Sequence, residues 1–238
     1  AETFRKVFLT LQEVEPHLPA SRPTLRIGVT NALAGNLLPR TLLESDFIKQ
    51  NQDVDLELVE GEAHELVTTL LRRVDFAIGA RDVIPAECRA ELLCRRKRVL
   101  LFNRNQESAR YVHDFSHCPS IPTLQDWIRD ETLLVPASRV VSNLDEFLKP
   151  PRLGRRCIIP TASVRPRWAE RGRGVALSHE EKQSPPIPED NVGAIDLSEK
   201  LGATEIMLYF REGHPLAPAA NSLIAEIRRI FAETSLPM

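Results

Sequence analysis

Strand-like and helix-like segments alternate over residues 25–81, and this alternation is the strongest indication of the fold. Residues 25–30 and 75–79 are short apolar runs, and residues 53–60 alternate apolar and acidic side chains in the manner of a half-buried strand. The two segments between these strands carry apolar residues at helical spacing. Strands that alternate with helices form a parallel sheet through right-handed crossovers. We therefore predict an α/β fold.

The carboxyl ends of the predicted strands are the expected ligand site, because ligands in open α/β sheets bind just beyond those ends. In the first half of the chain the ends fall at residues 30–32, 61–63 and 79–81. The second half repeats the pattern, with predicted strands and helices at 132–135, 140–148, 157–159, 163–171 and 175–177.

The order and spacing of several short motifs resemble the regulatory domain of LysR-type transcriptional regulators. The resemblance covers most of residues 24–235 and implies two Rossmann-like βα subdomains, joined by crossing strands, with a ligand cleft between them. This is the fold of type 2 periplasmic binding proteins. The motifs are Leu-Arg-Ile-Gly-Val (25–29), Leu-Leu-Pro (37–39), Leu-Val-Glu-Gly (58–61), Asp-Phe-Ala-Ile (75–78), Pro-Thr-Leu-Gln-Asp-Trp (122–127) and Gly-Arg-Gly-Val-Ala-Leu (172–177).

The resemblance also implies a domain organisation. Residues 1–21 have apolar side chains at helical spacing and are expected to be the remnant of a linker helix; a surface helix packed on the domain is the alternative. Subdomain I is predicted to comprise residues 22–103 and 204–238, and subdomain II residues 104–203. The winged helix-turn-helix that reads DNA is expected to be absent from this chain. The net charge of −2 agrees with that expectation, because a chain that neutralises many phosphates has a basic excess.

The resemblance places effector contacts at the strand ends and helix starts that line the cleft. Free N–H groups at helix starts favour an anionic effector. Ala32 and Ala63 stand where many members carry a hydroxyl or amide side chain, and Arg139, Arg165 and Arg167 are candidate replacement partners for an anion. The predicted effector-binding residues are Asn31, Ala32, Glu62, Ala63, Arg81, Ser138, Arg139, Asn143, Ser163 and Val164.

Cysteines and histidines give no clear cofactor site. The cysteines are irregularly spaced in a chain that does not need disulfides, so free and mostly buried thiols in a reducing compartment are expected. The basic residues after Cys94 would lower its thiol pKa if they lay close to it, which leaves a redox-sensing pair as the alternative. His113 and His117 have metal-ligand spacing but no third ligand, so we predict neither a metal nor a cofactor.

The predicted function is an effector-sensing and dimerisation domain of a LysR-type regulator, and not an enzyme, since the common catalytic motifs are missing. The partners implied are a small-molecule effector, a second copy in a homodimer or homotetramer through residues 42–49 and 55–60, and DNA through the absent domain only. No membrane span or secretory signal is visible, which predicts a cytoplasmic protein. A secreted solute-binding protein of a transporter is the alternative, and an enzyme on the same fold is a third class.

Overall fold

The computed structural model describes residues 22–34, 37–68, 73–81, 86–106, 121–135, 155–159, 164–179 and 191–234. The strands are β1 (Thr24–Thr30), β2 (Asp55–Gly61), β3 (Phe76–Ala80), β4 (Cys88–Arg96), β5 (Arg98–Asn103), β6 (Leu133–Val135), β7 (Arg156–Ile158), β8 (Val175–His179), β9 (Val192–Asp196) and β10 (Thr204–Arg211). The helices are α1 (Asn31–Ala34), α2 (Leu37–Glu44), α3 (Phe47–Gln50), α4 (Ala63–Thr68), α5 (Ile121–Ile128), α6 (Val164–Glu170), α7 (Ser198–Leu201) and α8 (Pro218–Thr234). The predicted alternation of strands and helices is present in both halves of the chain.

The first sheet has the strand order β2-β1-β3-β10-β4. Strand β1 runs parallel to β2 and β3, whereas β10 runs antiparallel to β3 and β4. One face packs against α2, α3 and α8, and α8 contributes Leu223, Ile224 and Ile227 at helical spacing. The opposite face packs against Leu66 and Val67 of α4. Burial on both faces explains why β1 and β3 are short apolar runs without alternation.

The second sheet has the order β7-β6-β8-β5-β9, with β6 parallel to β7 and β8 and with β5 antiparallel to β8 and β9. Helix α5 covers one face, where the rings of Phe102 and Trp127 meet edge to face with centroids 5.1 Å apart. Helix α6 packs on the other face through Ala169. Strand β9 passes so close to this core that a Cβ at Gly193 would lie 2.1 Å from the Phe102 ring. Glycine is therefore required there for the close approach of the backbone.

Within the described residues, the chain crosses between the sheets twice. It leaves the first sheet at the end of β4 and enters the second at the start of β5, with only Lys97 between them. It returns through α7 and residues 202–203 to β10. Strand β5 hydrogen-bonds within the second sheet, although the sequence assigned residues 98–103 to subdomain I. The exact subdomain limits remain a prediction.

Two elements of the first sheet differ from the sequence expectation. Strand β4 was not predicted, because a register shift opposite Ile206 and Met207 interrupts its alternation. Leu58 was expected on a half-buried face but is 37% exposed, since β2 is the edge strand of the sheet. The predicted helices at residues 1–21 and 140–148 lie outside the described residues.

Candidate ligand cleft between the two sheets

Both crossings lie at the carboxyl ends of parallel strands. In the first sheet, the antiparallel pairing of Ile206 with Ala80 places the start of β10 beside the end of β3. In the second sheet, the pairing of Arg98 with His179 places the start of β5 beside the end of β8. The carboxyl ends of β1–β3 and of β6–β8 therefore meet at one junction. This is the edge at which open α/β sheets bind ligands, and it defines the candidate cleft.

A hydrogen-bonded cluster joins the two sheets at this junction. The hydroxyl of Thr204, at the start of β10, accepts a hydrogen bond from Arg98 Nε of β5 at 2.9 Å. The same hydroxyl lies 3.0 Å from Nε2 of His179, at the end of β8. Thr204 is buried, so Arg98 and His179 supply the hydrogen bonds that water would otherwise make to its hydroxyl. Thr204, Arg98 and His179 are called the hinge cluster below.

His179 is held neutral in the hinge cluster. Burial lowers the pKa of its imidazole from 6.5 to about 3, and the positive charges of Arg96, Arg98 and Arg165 act in the same direction. A neutral ring has one donor and one acceptor nitrogen, so Nε2 can accept the Thr204 hydroxyl proton while Thr204 accepts from Arg98. Burial also lowers the pKa of the Arg98 guanidinium.

A second charged cluster lies at the end of β3. Glu205 accepts a hydrogen bond from Arg81 NH1 at 2.5 Å, and its other oxygen accepts from Arg95 at 3.0 Å and 3.2 Å. These hydrogen bonds to Arg81 and Arg95 hold the pKa of the Glu205 carboxyl below its usual value. The main chain is tied at the same point, because the Arg81 N–H donates to the Glu205 carbonyl at 2.8 Å. Glu205 thus fixes the position of Arg81 beside the cleft.

Arg165 lies at the corresponding edge of the second sheet. Its side chain is buried in the first turn of α6, and it donates from NH1 to the Ile159 carbonyl at 2.8 Å and from Nε to the Leu177 carbonyl at 3.2 Å. These bonds tie α6 to the strand ends beneath it. Arg167, proposed from the sequence as another anion partner, is exposed.

The structure brings the predicted residues of the first subdomain to the strand ends. Asn31 and Ala32 open α1 directly after β1, Ala63 opens α4 directly after β2, and Arg81 follows β3. Glu62 lies between β2 and α4, where its N–H donates to the Glu65 carboxylate at 3.1 Å. Their contact with an effector remains a prediction.

In the second subdomain only Val164 of the predicted set is described, and it begins α6, where it is half-buried. Ser138, Arg139, Asn143 and Ser163 lie outside the described residues. The sequence did not single out Thr204 or Glu205. The available signal was a pair of polar residues at the start of the otherwise apolar run Ile206–Phe210, and it does not reveal the distant partners.

The alternative for Cys94, a thiol with a lowered pKa, does not hold. Burial raises the pKa of its thiol to about 11, and the opposing effect of Arg96 is smaller. A buried thiol of this kind is a poor nucleophile. The pair His113 and His117 lies outside the described residues, and the part of the chain that is described contains no cluster of three metal-ligating side chains.

Several solved structures share this architecture. The effector-binding domain of BenM with its effector benzoate is 20% identical with a TM-score of 0.68, and the match covers 92% of this chain and 97% of that one. The effector-binding domain of QuiR in complex with shikimate is 16% identical with a TM-score of 0.67, over 91% of this chain and 100% of that one. HinK, a LysR family transcriptional regulator from Pseudomonas aeruginosa, is 16% identical with a TM-score of 0.67, over 97% and 79% of the two chains.

Two sheets joined at the carboxyl ends of their parallel strands define a binding domain of the type 2 periplasmic binding protein fold, and the structural matches share it. The family model described as the LysR substrate binding domain matches residues 20–232. The chain therefore belongs to the LysR substrate binding domain family. Comparison with the curated proteins gave no match. No helix in the described part of the chain is both long enough and apolar enough to span a membrane.

Proposed function

We propose that this chain is the effector-sensing and dimerisation domain of a LysR-type transcriptional regulator, with the effector bound in the cleft between the two sheets. The observation that carries the proposal is the junction itself, where the carboxyl ends of the parallel strands of both sheets meet. The effector-binding domains of BenM and QuiR, which share the fold, are described with benzoate and shikimate. These observations favour a small organic acid as the ligand.

The proposed contacts from the first sheet are Asn31, Ala32, Glu62, Ala63 and Arg81. Arg81 is the cationic member of this set, and its guanidinium donates to Glu205 through NH1. A guanidinium carries five N–H donors in a fixed fork, so Arg81 retains donors for an effector carboxylate. The proposed contacts from the second sheet are Ser138, Arg139, Asn143, Ser163 and Val164.

The proposed mechanism is a shift between two relative orientations of the sheets. An effector changes the population of an orientation only if it binds that orientation more tightly than the other. The hinge cluster is the element that such a shift would strain, because Thr204 belongs to one sheet while Arg98 and His179 belong to the other. In this proposal the shift passes through a dimer to the DNA-binding domain of the full-length regulator, which acts in the cytoplasm. The chain binds its effector and does not convert it.

The edge of the first sheet supports the dimer proposal. Leu43 of α2 is 80% exposed, and Ile48 of α3 and Leu58 of β2 are also exposed. Exposed apolar side chains on and near an edge strand are typical of a protein interface. Replacing Leu43 with glutamate should therefore shift the chain toward monomer in sedimentation equilibrium. Leu92→Glu, at an exposed leucine of β4, is the matched control. A Leu43→Glu chain that dimerises as tightly as the control would contradict this interface.

The cleft is tested by a thermal-shift screen of the chain against small carboxylates, amino acids and sugar phosphates. A ligand present at about a hundred times its dissociation constant stabilises the folded state by about 2.7 kcal/mol, which raises the melting temperature by several degrees. Ligand recovered unchanged after incubation would support binding without turnover.

Any ligand found in the screen is then titrated against the double variant Arg139→Ala, Ser163→Ala. The matched control is Arg171→Ala, which removes an exposed arginine from the turn after α6. If the double variant loses affinity and Arg171→Ala does not, the result supports the cleft as the effector site. An unchanged affinity would refute the assignment of these two residues, and a screen with no saturable ligand would contradict effector sensing.

A further inference from the structure

A pocket lies at the end of the first sheet that is remote from the cleft. Its volume is about 470 Å³, and it is bounded by the start of β4, the end of β10, the turn that follows and the first half of α8. Six residue steps along β10 separate Glu205, beside the cleft, from Arg211 at the pocket. At 3.3 Å per residue this is roughly 20 Å, so the pocket and the cleft are separate sites.

The floor of the pocket is apolar. Phe210 of β10, Leu216 of the connecting turn and Ile224 of α8 line it. Asn221, Ile224 and Arg228 are spaced by three and four residues, so they lie on one face of α8 and all border the pocket. The turn returns the chain over this floor through Gly213, which has a φ of +69° that glycine adopts without strain.

The charges around the pocket are unevenly compensated. Arg228 donates to both carboxylate oxygens of Glu91, at 2.9 Å and 2.6 Å, so that this pair is neutral as a unit. Arg89 lies on the same face of β4 as Glu91, directly opposite Phe210 in the register. Its side chain forms no hydrogen bond or ion pair with any other described residue. Arg211 and Glu212 add one charge of each sign at the rim.

We propose that this pocket is a second small-molecule site, which binds an organic acid with one carboxylate and an apolar body. The carboxylate is held by the Arg89 guanidinium, and the body lies on Phe210, Leu216 and Ile224. The volume falls within the range of small-molecule sites, and an apolar floor with a few convergent polar groups is their usual composition. The carboxylates of Glu91 and Glu212 disfavour a dianion such as a phosphate monoester.

The test uses benzoate and hexanoate as probes, with benzamide and hexanamide as uncharged counterparts. Binding to the full chain is followed by chemical-shift changes of backbone amides in β4, β10 and α8 and by calorimetry. We expect saturable binding of an acid at millimolar concentration and at least about tenfold weaker binding of its amide, because a hydrogen bond between charged groups is lost. Arg89→Gln should weaken acid binding by a similar factor. Arg171→Gln, at an exposed arginine of the other sheet, should leave it unchanged.

The outcomes separate this site from the cleft. Acid binding that is lost in Arg89→Gln and retained in the cleft double variant supports the second site. Binding that survives Arg89→Gln, or shift changes confined to the strand ends at the cleft, overturns it while leaving the effector proposal intact. Equal binding of acid and amide, or no saturable change in the residues of the pocket with either acid, also overturns it.

Discussion

Because His179 is neutral in the folded protein, we predict how the free energy of unfolding changes with pH. Its folded-state pKa of about 3 lies below the value of 6.5 for an unfolded chain. Between these two pH values the unfolded chain binds a proton at His179 that the folded protein does not bind. The free energy of unfolding is therefore undiminished above about pH 6.5 and decreases as the pH falls. Each pKa unit corresponds to about 1.36 kcal/mol, so the decrease attributable to His179 at about pH 5 is about 2 kcal/mol.

The perturbation is His179→Gln, which keeps a polar group that can reach Thr204 but does not titrate. His214→Gln, at an exposed histidine in the turn after β10, is the matched control. Urea unfolding of the three chains is measured between about pH 7.5 and about pH 5. The carboxyl groups of Asp196 and Glu205, whose ordinary pKa values are 3.8 and 4.5 and are lowered in the fold, lose their contributions mostly below this window.

The chains are expected to differ in how steeply the free energy of unfolding changes with pH. A difference in its absolute value does not bear on the prediction. The natural chain and His214→Gln should lose about 2 kcal/mol more than His179→Gln as the pH falls to about 5. The imidazole C2–H resonance of His179 should also not shift across this range in the folded protein. Parallel pH profiles for His179→Gln and His214→Gln, or titration of the His179 resonance near pH 6.5, would refute the burial argument.

Three further changes test separate features of the fold. Thr204→Val keeps the side-chain shape but leaves the buried partners of the hydroxyl unsatisfied, so it should reduce the free energy of unfolding by about 2 kcal/mol, whereas Thr204→Ser should restore most of the loss. Gly193→Ala places a Cβ against the Phe102 ring and should cost about 1–3 kcal/mol in urea unfolding; an unchanged midpoint would contradict the close approach. The thiol of Cys94, with its pKa raised to about 11, should react with iodoacetamide at pH 8 far more slowly than a thiol of the unfolded chain, and equal rates would contradict its burial.

The elements that have a clean local period could be predicted from the amino-acid pattern alone. Strands β1 and β3 appear as apolar runs because both faces of their sheet are covered, and α8 appears through apolar residues at helical spacing. The order of these elements was enough to predict the fold class. Strand β4 was missed because its register shift breaks the period on which the prediction depends.

Which polar groups contact one another could not be predicted from the sequence and follows from the packing of the folded chain. Thr204 contacts Arg98 across 106 residues of sequence and Glu205 contacts Arg81 across 124, and no local pattern encodes such pairs. Burial of Cys94 raises the pKa of its thiol and outweighs the lowering effect of Arg96, its neighbour in sequence. Periodicity is set by each segment's own backbone geometry, so the sequence displays it directly. Partners, exposure and protonation depend on how the sheets pack and on where the chain crosses between them, which emerges only when distant segments assemble.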